Sequence, residues 1–455
     1  FVGGYAGQGG QTSAPFSSGQ YNTAVGYQAL KSFTTGVENI FMGSSAGNAI
    51  TTGNGNVGLG HEALKVHTTG QYNVAIGWKA MDDTDAGGNS ANSNNNIAIG
   101  ANALGGTWEN AVSEFNIAIG QNSMSGPLNA AIQNTAVGVN SLAAITTGDY
   151  NVAVGYNAGD AITTGQQNTC IGRFAGSSLT TKSYNTLVGS GAGQSLSGGD
   201  GNNNIFGYGA GAQQTNGYST VAIGSLAWYG TGGTNNSVYG TFVGNFAGQD
   251  VTTGDYNVMI GHKAGKDSDP NNCIFIGNYA SASVADTSHE IIIGSGTNFS
   301  NGFHGGGTET IRIGRASDFI TNDFGENATW THSSDRRIKK DIKDTSLGLE
   351  FILKLQPKEF KKKAPSEYPP EFIQYDENQT ERKNPDKIHY GFVAQEVKEA
   401  MDSVGHSEFP VWKENPDGMQ ELGEAELITP LVKAVQELTE IVKSQQKEIE
   451  ELKNK

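Results

Sequence analysis

The sequence has 455 residues with 29 basic and 45 acidic side chains, which gives a formal net charge of −16. This balance argues against a nucleic-acid-binding protein, because phosphate contacts need a basic face. No apolar run reaches the about 18 residues that a membrane-spanning helix needs, so we expect no membrane insertion. Residues 1–330 hold 59 of the 64 glycines but only 29 of the 74 charged residues. The composition therefore predicts a glycine-rich domain over 1–330 and a charged region after it.

A short unit recurs throughout residues 1–330, as expected of a repeat protein. It consists of a β-branched residue, a small residue, an aliphatic residue and a glycine, usually followed three positions later by alanine; Val74 to Ala80 is typical. The commonest spacing between these repeat glycines is 17 residues. The repeat glycines are Gly3, Gly26, Gly43, Gly60, Gly77, Gly100, Gly120, Gly138, Gly155, Gly172, Gly189, Gly207, Gly224, Gly244, Gly261, Gly277, Gly294 and Gly314.

The alternation before each repeat glycine is typical of a strand. At a rise of ~3.3 Å per residue, one coil has room for about two short strands and two turns. Stacked coils of this kind predict a mainly β fold, a β-solenoid or β-roll. The alanine indicates a tight site, either between coil faces or between chains. We expect a positive φ at the Thr-Thr-Gly turns, which end at Gly36, Gly53, Gly70, Gly148, Gly165 and Gly254.

Two inserts, residues 82–95 and 105–115, lengthen the repeat, and we expect them to project from one face. They carry Asp82, Asp83, Asp85 and Trp108, a mixture suited to sugar contact and also to simple solubility. Binding residues concentrate on loops of rigid scaffolds.

Asparagine occupies the position four before the repeat glycine in 12 copies, Asn73 and Asn151 among them. These amides either line a sugar-binding row or form an internal ladder that satisfies turn carbonyls, and we favour the ladder. Cys170 and Cys273 lie in strand-like segments about a hundred residues apart. We interpret them as small buried side chains and not as a disulfide.

The repeat pattern resembles the head repeats of trimeric autotransporter adhesins, which form β-rolls that assemble as trimers. This resemblance implies a homotrimer. The repeats of that family are usually shorter than 17 residues.

The segment Ser333–Lys339 stands where the repeats end and the charged region begins. Ser334, Asp335, Arg337, Lys339 and Ile342 match the S-D-x-R-x-K-x-x-I pattern of a self-cleaving C-terminal intramolecular chaperone domain. The chain there resembles the domain of that kind found in phage tail fibres, tailspikes and endosialidases. A later segment, 389–397, resembles the G-F-x-A-Q-E-V motif of the same family, and a terminal helix follows in the expected order.

The resemblance implies that Ser334 is a nucleophile, that Lys339 is its base and that the scissile bond joins Ser333 to Ser334. A hydroxyl becomes a useful nucleophile when a base takes its proton. Lysine can be that base where burial or nearby positive charge disfavours the ammonium, and Arg336, Arg337 and Lys340 supply such charge. Asp335 and Arg337 are then supporting residues. The alternative interpretation is a serine-capped turn that opens a basic surface segment.

The charged region has three further predicted elements. Residues 346–360 are typical of a short amphipathic helix that ends near Pro357, and 361–387 of a solvated loop. Residues 389–401 indicate a strand that leads into a helix. No Cys, His and Asp spacing matches a metal site, so His332, His389 and His406 are expected to be ordinary surface residues, and we expect no cofactor.

The last helix carries an a/d heptad seam over about four heptads. By the general rule its β-branched a positions and Leu d positions favour a parallel dimer, whereas the two family resemblances favour a trimer, and we predict the trimer. Gln445 weakens the seam and sets its register. The seam residues are Ile428, Leu431, Val435, Leu438, Val442, Gln445, Ile449 and Leu452.

The sequence thus predicts a trimeric shaft over 1–330, a small α+β chaperone and self-cleaving domain over 331–427, and a coiled-coil helix over 428–455. The expected function is a virion tail fibre, assembled in the host cytoplasm, that binds a host surface receptor, most simply a glycan, and other tail or baseplate proteins. Two alternatives stay open: a tailspike that degrades a surface polysaccharide, and a bacterial trimeric adhesin. A glycosidase needs two carboxylates at one cleft, and the acidic residues of 1–330 show no repeated pair.

Overall fold

The computed structural model describes residues 1–9, 17–84, 89–231, 236–284, 287–296, 302–315, 318–323, 327–331, 334–372, 375–381 and 385–454. The chain divides into two compact units, Phe1–Ser333 and Ser334–Lys455, called here the solenoid unit and the C-terminal unit. The prediction of a mainly β solenoid followed by a small domain with a long terminal helix is confirmed.

The solenoid unit places one strand of each coil in a continuous parallel sheet. Neighbouring strands pair in register; Val74, Ala75 and Ile76 lie beside Ile97, Ala98 and Ile99. The strands of this sheet are β1 (Thr23–Val25), β2 (Ile40–Met42), β3 (Val57–Leu59), β4 (Val74–Ile76), β5 (Ile97–Ile99), β6 (Ile117–Ile119), β7 (Thr135–Val137), β8 (Val152–Val154), β9 (Thr169–Ile171), β10 (Thr186–Val188), β11 (Asn204–Phe206), β12 (Val221–Ile223), β13 (Thr241–Val243), β14 (Val258–Ile260) and β15 (Ile274–Ile276).

The last coils extend this sheet, and its final strands pair in antiparallel instead of parallel orientation. Two short strands, β16 (Ala280–Ser281) and β18 (Phe303–His304), form a separate parallel pair. The main sheet continues through β17 (Ile291–Ser295) and β19 (Thr310–Arg315), and two antiparallel strands then complete it, β20 (Asp318–Asp323) and β21 (Asn327–Thr331).

The middle residue of each strand from β1 to β15 is buried inside the solenoid, where the repeat alanines also lie. Ala75, Ala80 and Phe41 are fully buried, so the tight alanine site lies within one chain. The prediction of about two strands per coil is wrong. The rest of the coil contains residues with positive φ, such as Leu64 at +52°, which interrupt an extended chain. These turns are hydrogen-bonded to the neighbouring coil; Leu64 N donates to Ala80 O at 3.0 Å.

Two kinds of glycine hold the coils close together. Gly77 has a φ of +138°, and a Cβ there would lie 2.5 Å from the carbonyl oxygen of Gly100 in the next coil. At the Thr-Thr-Gly turns the prediction of positive φ is wrong, since Gly53 and its equivalents lie outside that region. They are glycines for lack of space, because a Cβ on Gly53 would lie 2.5 Å from Gly70 O.

The repeat asparagines form the internal ladder that we favoured. Asn151 Oδ1 accepts from the backbone N and the Nδ2 of Asn168, both at 3.0 Å, and Asn151 Nδ2 donates to Gly165 O at 2.8 Å. Eleven of the twelve repeat asparagines are buried and Asn22 is half-buried, so they are not a sugar-binding row. The interpretation of the cysteines is also confirmed, since Cys170 and Cys273 are buried and free. Burial raises the pKa of Cys170 to about 12.

The two inserts, which we expected to project from one face, place several of their side chains in the interior. Trp108 is fully buried and its Nε1 donates to Leu104 O at 3.2 Å, so it is not a sugar-contacting side chain. Ser93 and Ser113 are buried as well. Asp83 accepts from the hydroxyl of Thr107, which links the two inserts. Asp85 lies outside the described residues.

Sequence reasoning missed a buried histidine beside the first insert. Its Nε2 lies 3.1 Å from Asn73 Nδ2, and its Nδ1 lies 2.9 Å from Thr84 Oγ1. Burial lowers the pKa of His67 to about 4.

The C-terminal unit is a small α+β domain around a separate core. Its helices are α1 (Leu349–Ile352), α2 (Ala394–Ser403) and α3 (Ile428–Lys453). Its strands form two antiparallel pairs, β22 (Lys358–Phe360) with β23 (His389–Gly391) and β24 (Trp412–Glu414) with β25 (Gln420–Leu422). The predicted helix over 346–360 is wrong in extent, since only one turn forms and β22 follows Pro357. The strand and helix predicted over 389–401 are confirmed. The core residues are Leu347, Phe351, Val397, Ala400, Met401, Val411 and Leu427.

Candidate functional site

The candidate site occupies the first six residues of the C-terminal unit. Asp335 caps a single turn of 3-10 helix, Arg336–Ile338, by accepting from Arg337 N at 2.8 Å. The same carboxylate forms an ion pair of 2.7 Å with Arg337. The hydrogen bonds from Arg337 lower the pKa of Asp335. This capped turn sets the distance between the residues on either side of it.

The turn brings Ser334 and Lys339 together, five residues apart in the chain. Lys339 Nζ lies 2.7 Å from Ser334 Oγ. An ammonium donates in this contact, whereas a neutral amine would accept the hydroxyl proton and leave an alkoxide-like nucleophile. Both side chains are exposed in the single chain. The geometry thus has the reach for proton transfer, while water still solvates the pair.

The neighbouring charges differ from our expectation in one respect. Arg337 is engaged by Asp335, so its charge is offset and does not act freely on Lys339. Arg336, between the two residues in the chain, and Lys340, directly after them, are exposed. Ser333 and His332 lie outside the described residues, so the scissile bond itself has no described geometry.

The other conspicuous residues of the C-terminal unit have structural roles. The His389 ring stacks on Phe360 at 5.8 Å, which fastens β23 to β22. His406 Nε2 lies 3.0 Å from Ser346 Oγ. Within the described ranges no cluster of three or more His, Cys, Asp or Glu could hold a metal ion.

The terminal helix α3 packs by one face and exposes another. Pro430 and Ala434 are buried, and Glu437 accepts from Leu349 N at 2.7 Å at the start of α1. The predicted a/d seam lies on the open side: Val435 is 56% and Leu438 49% exposed. Among the described helices none combines the length and apolarity that a bilayer crossing needs. The seam is therefore an apolar surface, interrupted at Gln445, that the single chain leaves open.

The comparisons with known proteins agree with these features. Residues 334–406 match the family model for the chaperone of endosialidase. The match begins at Ser334 and covers α1, β22, β23 and α2. Neither the curated proteins nor the solved structures give a match to this chain. The matched segment and the β-solenoid fit a phage tail fibre with an endosialidase-type chaperone domain, and this family implies trimerisation.

Proposed function

We propose that this chain is a trimeric phage tail fibre whose C-terminal unit assembles three copies and then releases itself by cutting the Ser333–Ser334 bond. In this proposal residues 331–427 are the chaperone and self-cleaving domain and 428–455 the coiled-coil helix. The fibre would bind a host surface glycan and other tail or baseplate proteins. Its place would be the virion, after assembly in the host cytoplasm.

The observation that carries the proposal is the 2.7 Å contact between Lys339 and Ser334 at the first residue of the matched segment. Proton transfer to Lys339 frees the Ser334 oxygen to attack the Ser333 carbonyl carbon. The C–N bond then breaks, the Ser334 nitrogen takes up a proton, and Ser333 is left as an ester on Ser334 Oγ. Water hydrolyses the ester, which restores the hydroxyl and leaves a carboxylate on Ser333.

Assembly would supply what the single chain lacks at this pair. The pair is exposed, and water stabilises the ammonium form of lysine. A neighbouring copy that covers the pair would exclude water and favour the neutral amine. Cleavage would then follow assembly and not precede it.

Two apolar surfaces support the trimer. One is the a/d seam of α3. The other is the outward face of the solenoid sheet, where the residue directly before the repeat glycine is apolar in every coil and lies in register with its neighbours; Met42 is 51% and Ile223 42% exposed. Extended apolar patches of this kind mark interaction surfaces. Identical stripes on three copies can cover one another through a closed symmetric interface.

The test is the mass of the full chain after expression. Wild type should yield a fragment that begins at Ser334, and Ser334→Ala or Lys339→Ala should yield none, because each removes one partner of the proton transfer. Lys343→Ala, an exposed lysine to which the mechanism assigns no role, is the matched control and should cleave normally. Cleavage that persists in both Ser334→Ala and Lys339→Ala would rule out this pair.

A further inference from the structure

The solenoid unit has a small cleft on its side. It lies where two successive coils have a glycine, and so no side chain, two positions after the repeat glycine. In the other coils from Gly3 to Gly277, the residue two after the repeat glycine is not glycine and has a φ between +51° and +60°. Gly191 and Gly209 occupy that position in the two adjacent coils, with φ of +69° and +60°. Since side chains are accepted at this backbone conformation elsewhere, the two glycines are not required by φ alone. Their effect is to open a cleft of about 190 Å³.

The missing side chains leave the cleft between residues of the coils before and after it. Phe174 and Leu226 occupy the same repeat position on the two sides. The Phe174 ring is held by the edge of Tyr156, with the centroids 5.4 Å apart. Tyr208 stands at the opening with 66% of its surface exposed. The walls are thus apolar and aromatic, and they stand on a rigid stack of coils.

Polar groups converge on the same cleft. The Arg173 guanidinium lies over the Phe174 ring at 4.4 Å and is exposed at the rim. A Cβ on Gly191 would lie 3.4 Å from Gln194 Oε1, so the Gln194 amide lies at the edge of the open space. Tyr229 lines the far side, and its hydroxyl accepts from Gln213 Nε2 at 2.7 Å. The cleft therefore offers a cation, an amide and phenol groups beside aromatic faces.

We propose that this cleft binds one carboxylate-bearing sugar ring of a surface glycan. Aromatic rings attract the partly positive C–H groups of a sugar through their quadrupole, and the amide can bond its hydroxyls. Arg173 selects the carboxylate, because a guanidinium matches its two oxygens in a bidentate contact. The volume is below the roughly 300–1,000 Å³ of drug-sized sites, which suits a single ring. The inference rests on the proposed receptor-binding role and names its ligand class and position.

The test is saturation-transfer NMR and titration with the full-length protein and three probes: glucuronate, glucose and acetate. Glucuronate should bind; glucose, which has the ring without the charge, and acetate, which has the charge without the ring, should each bind at least about tenfold more weakly. Arg173→Gln should weaken glucuronate binding about tenfold or more, the usual range for a lost charged hydrogen bond. Lys182→Gln removes one positive charge outside the cleft and should leave binding unchanged.

A second variant fills the cleft without changing charge. Gly191→Asn introduces an asparagine at a repeat position where four other coils already have one, so the fold should accept it. These are Asn102, Asn122, Asn140 and Asn157. It should abolish glucuronate binding, whereas Ser45→Asn, at the equivalent position of a distant coil, should not. The inference is overturned if wild type does not bind glucuronate, if acetate binds equally well, or if folded Gly191→Asn binds like wild type. Binding of a small sugar is measured independently of cleavage and trimerisation, so either proposal can fail alone.

Discussion

The solenoid unit and the C-terminal unit satisfy their polar groups in different ways. In the solenoid unit, amides such as Asn134 and Asn151 are buried and bonded from coil to coil, and glycines allow the coils to approach. In the C-terminal unit the core is a small apolar cluster, while ion pairs such as Asp335–Arg337 stay exposed. Each coil of the solenoid unit is therefore held by several buried contacts to its neighbours. The C-terminal unit, by contrast, leaves the apolar seam of α3 and the Ser334–Lys339 pair exposed to solvent. We expect the solenoid unit to respond to single buried changes and the C-terminal unit to changes at its surface.

The largest expected effect comes from the open seam of α3. Val435→Asp combined with Leu438→Asp places two charges on a surface that assembly would bury, and a buried unpaired charge is strongly unfavourable. The variant should be monomeric by light scattering, its solenoid should aggregate, and it should not yield the Ser334 fragment. Ser444→Asp, on the same helix outside the seam, is the control. A soluble, cleaved trimer from the double variant would show that assembly does not depend on the seam.

The next largest expected effect is a glycine-to-alanine substitution, which should destabilise the solenoid unit much more than the C-terminal unit. In Gly155→Ala the Cβ would lie 2.7 Å from the carbonyl of Gly172, at a φ of +134°. Strain of this kind and the displaced coil should cost more than about 3 kcal/mol in the free energy of unfolding. Gly405→Ala in the C-terminal unit also has a positive φ, +76°, but nothing lies within 4 Å of its Cβ. Chemical denaturation should show the loss for Gly155→Ala, and comparable losses for both variants would refute the stacking argument.

The amide ladder should respond on a similar but smaller scale. Asn151→Ala leaves Asn168 N without its acceptor and Gly165 O without its donor, both bonded to Asn151 in the native coil. Each buried polar group left unpaired costs about 1–3 kcal/mol, so we expect a loss of about 2–4 kcal/mol in thermal or chemical unfolding. Asn157→Ser in the same coil places at a φ of +53° a residue type that Ser45 carries at +59°. Because the Asn157 amide is less buried, this change should cost under about 1 kcal/mol. Equal losses would mean that the ladder contributes no more than a surface amide.

Features that recur in every repeat were predictable from the sequence. Features that depend on packing between coils of different sequence were not. The strands, the repeat glycines and the Asn ladder follow from spacing alone. Trp108 looked like a loop residue because its insert has no equivalent in other coils, yet the two inserts pack together. His67 carried a signal that we did not use: Ile50, Ile145 and Ile162 occupy its repeat position and are buried. The Ser334–Lys339 contact was anticipated by the motif, whereas the pairing of Arg337 with Asp335 required the folded turn.

The smallest expected effect is a pH dependence that belongs to the solenoid unit. The pKa of His67 is lowered to about 4, against an ordinary value of 6.5, because its ring is fully buried. The unfolded chain therefore binds more protons between these values, and the stability present above about pH 6.5 is lost as the pH falls towards 4. Between pH 7.5 and 5 the loss should be about 2 kcal/mol, since one pKa unit corresponds to about 1.4 kcal/mol.

The measurement for His67 is a difference between two proteins, which removes the common titration of carboxylates. Denaturation of wild type and His67→Gln is followed at pH 7.5 and pH 5. The glutamine can still bond at one end of the site but does not titrate, so the variant should lose about 2 kcal/mol less than wild type over this interval. The variant is expected to be less stable at pH 7.5, because Thr84 and Asn73 lose the ring between them. Parallel curves for the two proteins would show that His67 does not stay neutral in the folded solenoid, and the ring would then have to be reached by water through the neighbouring insert.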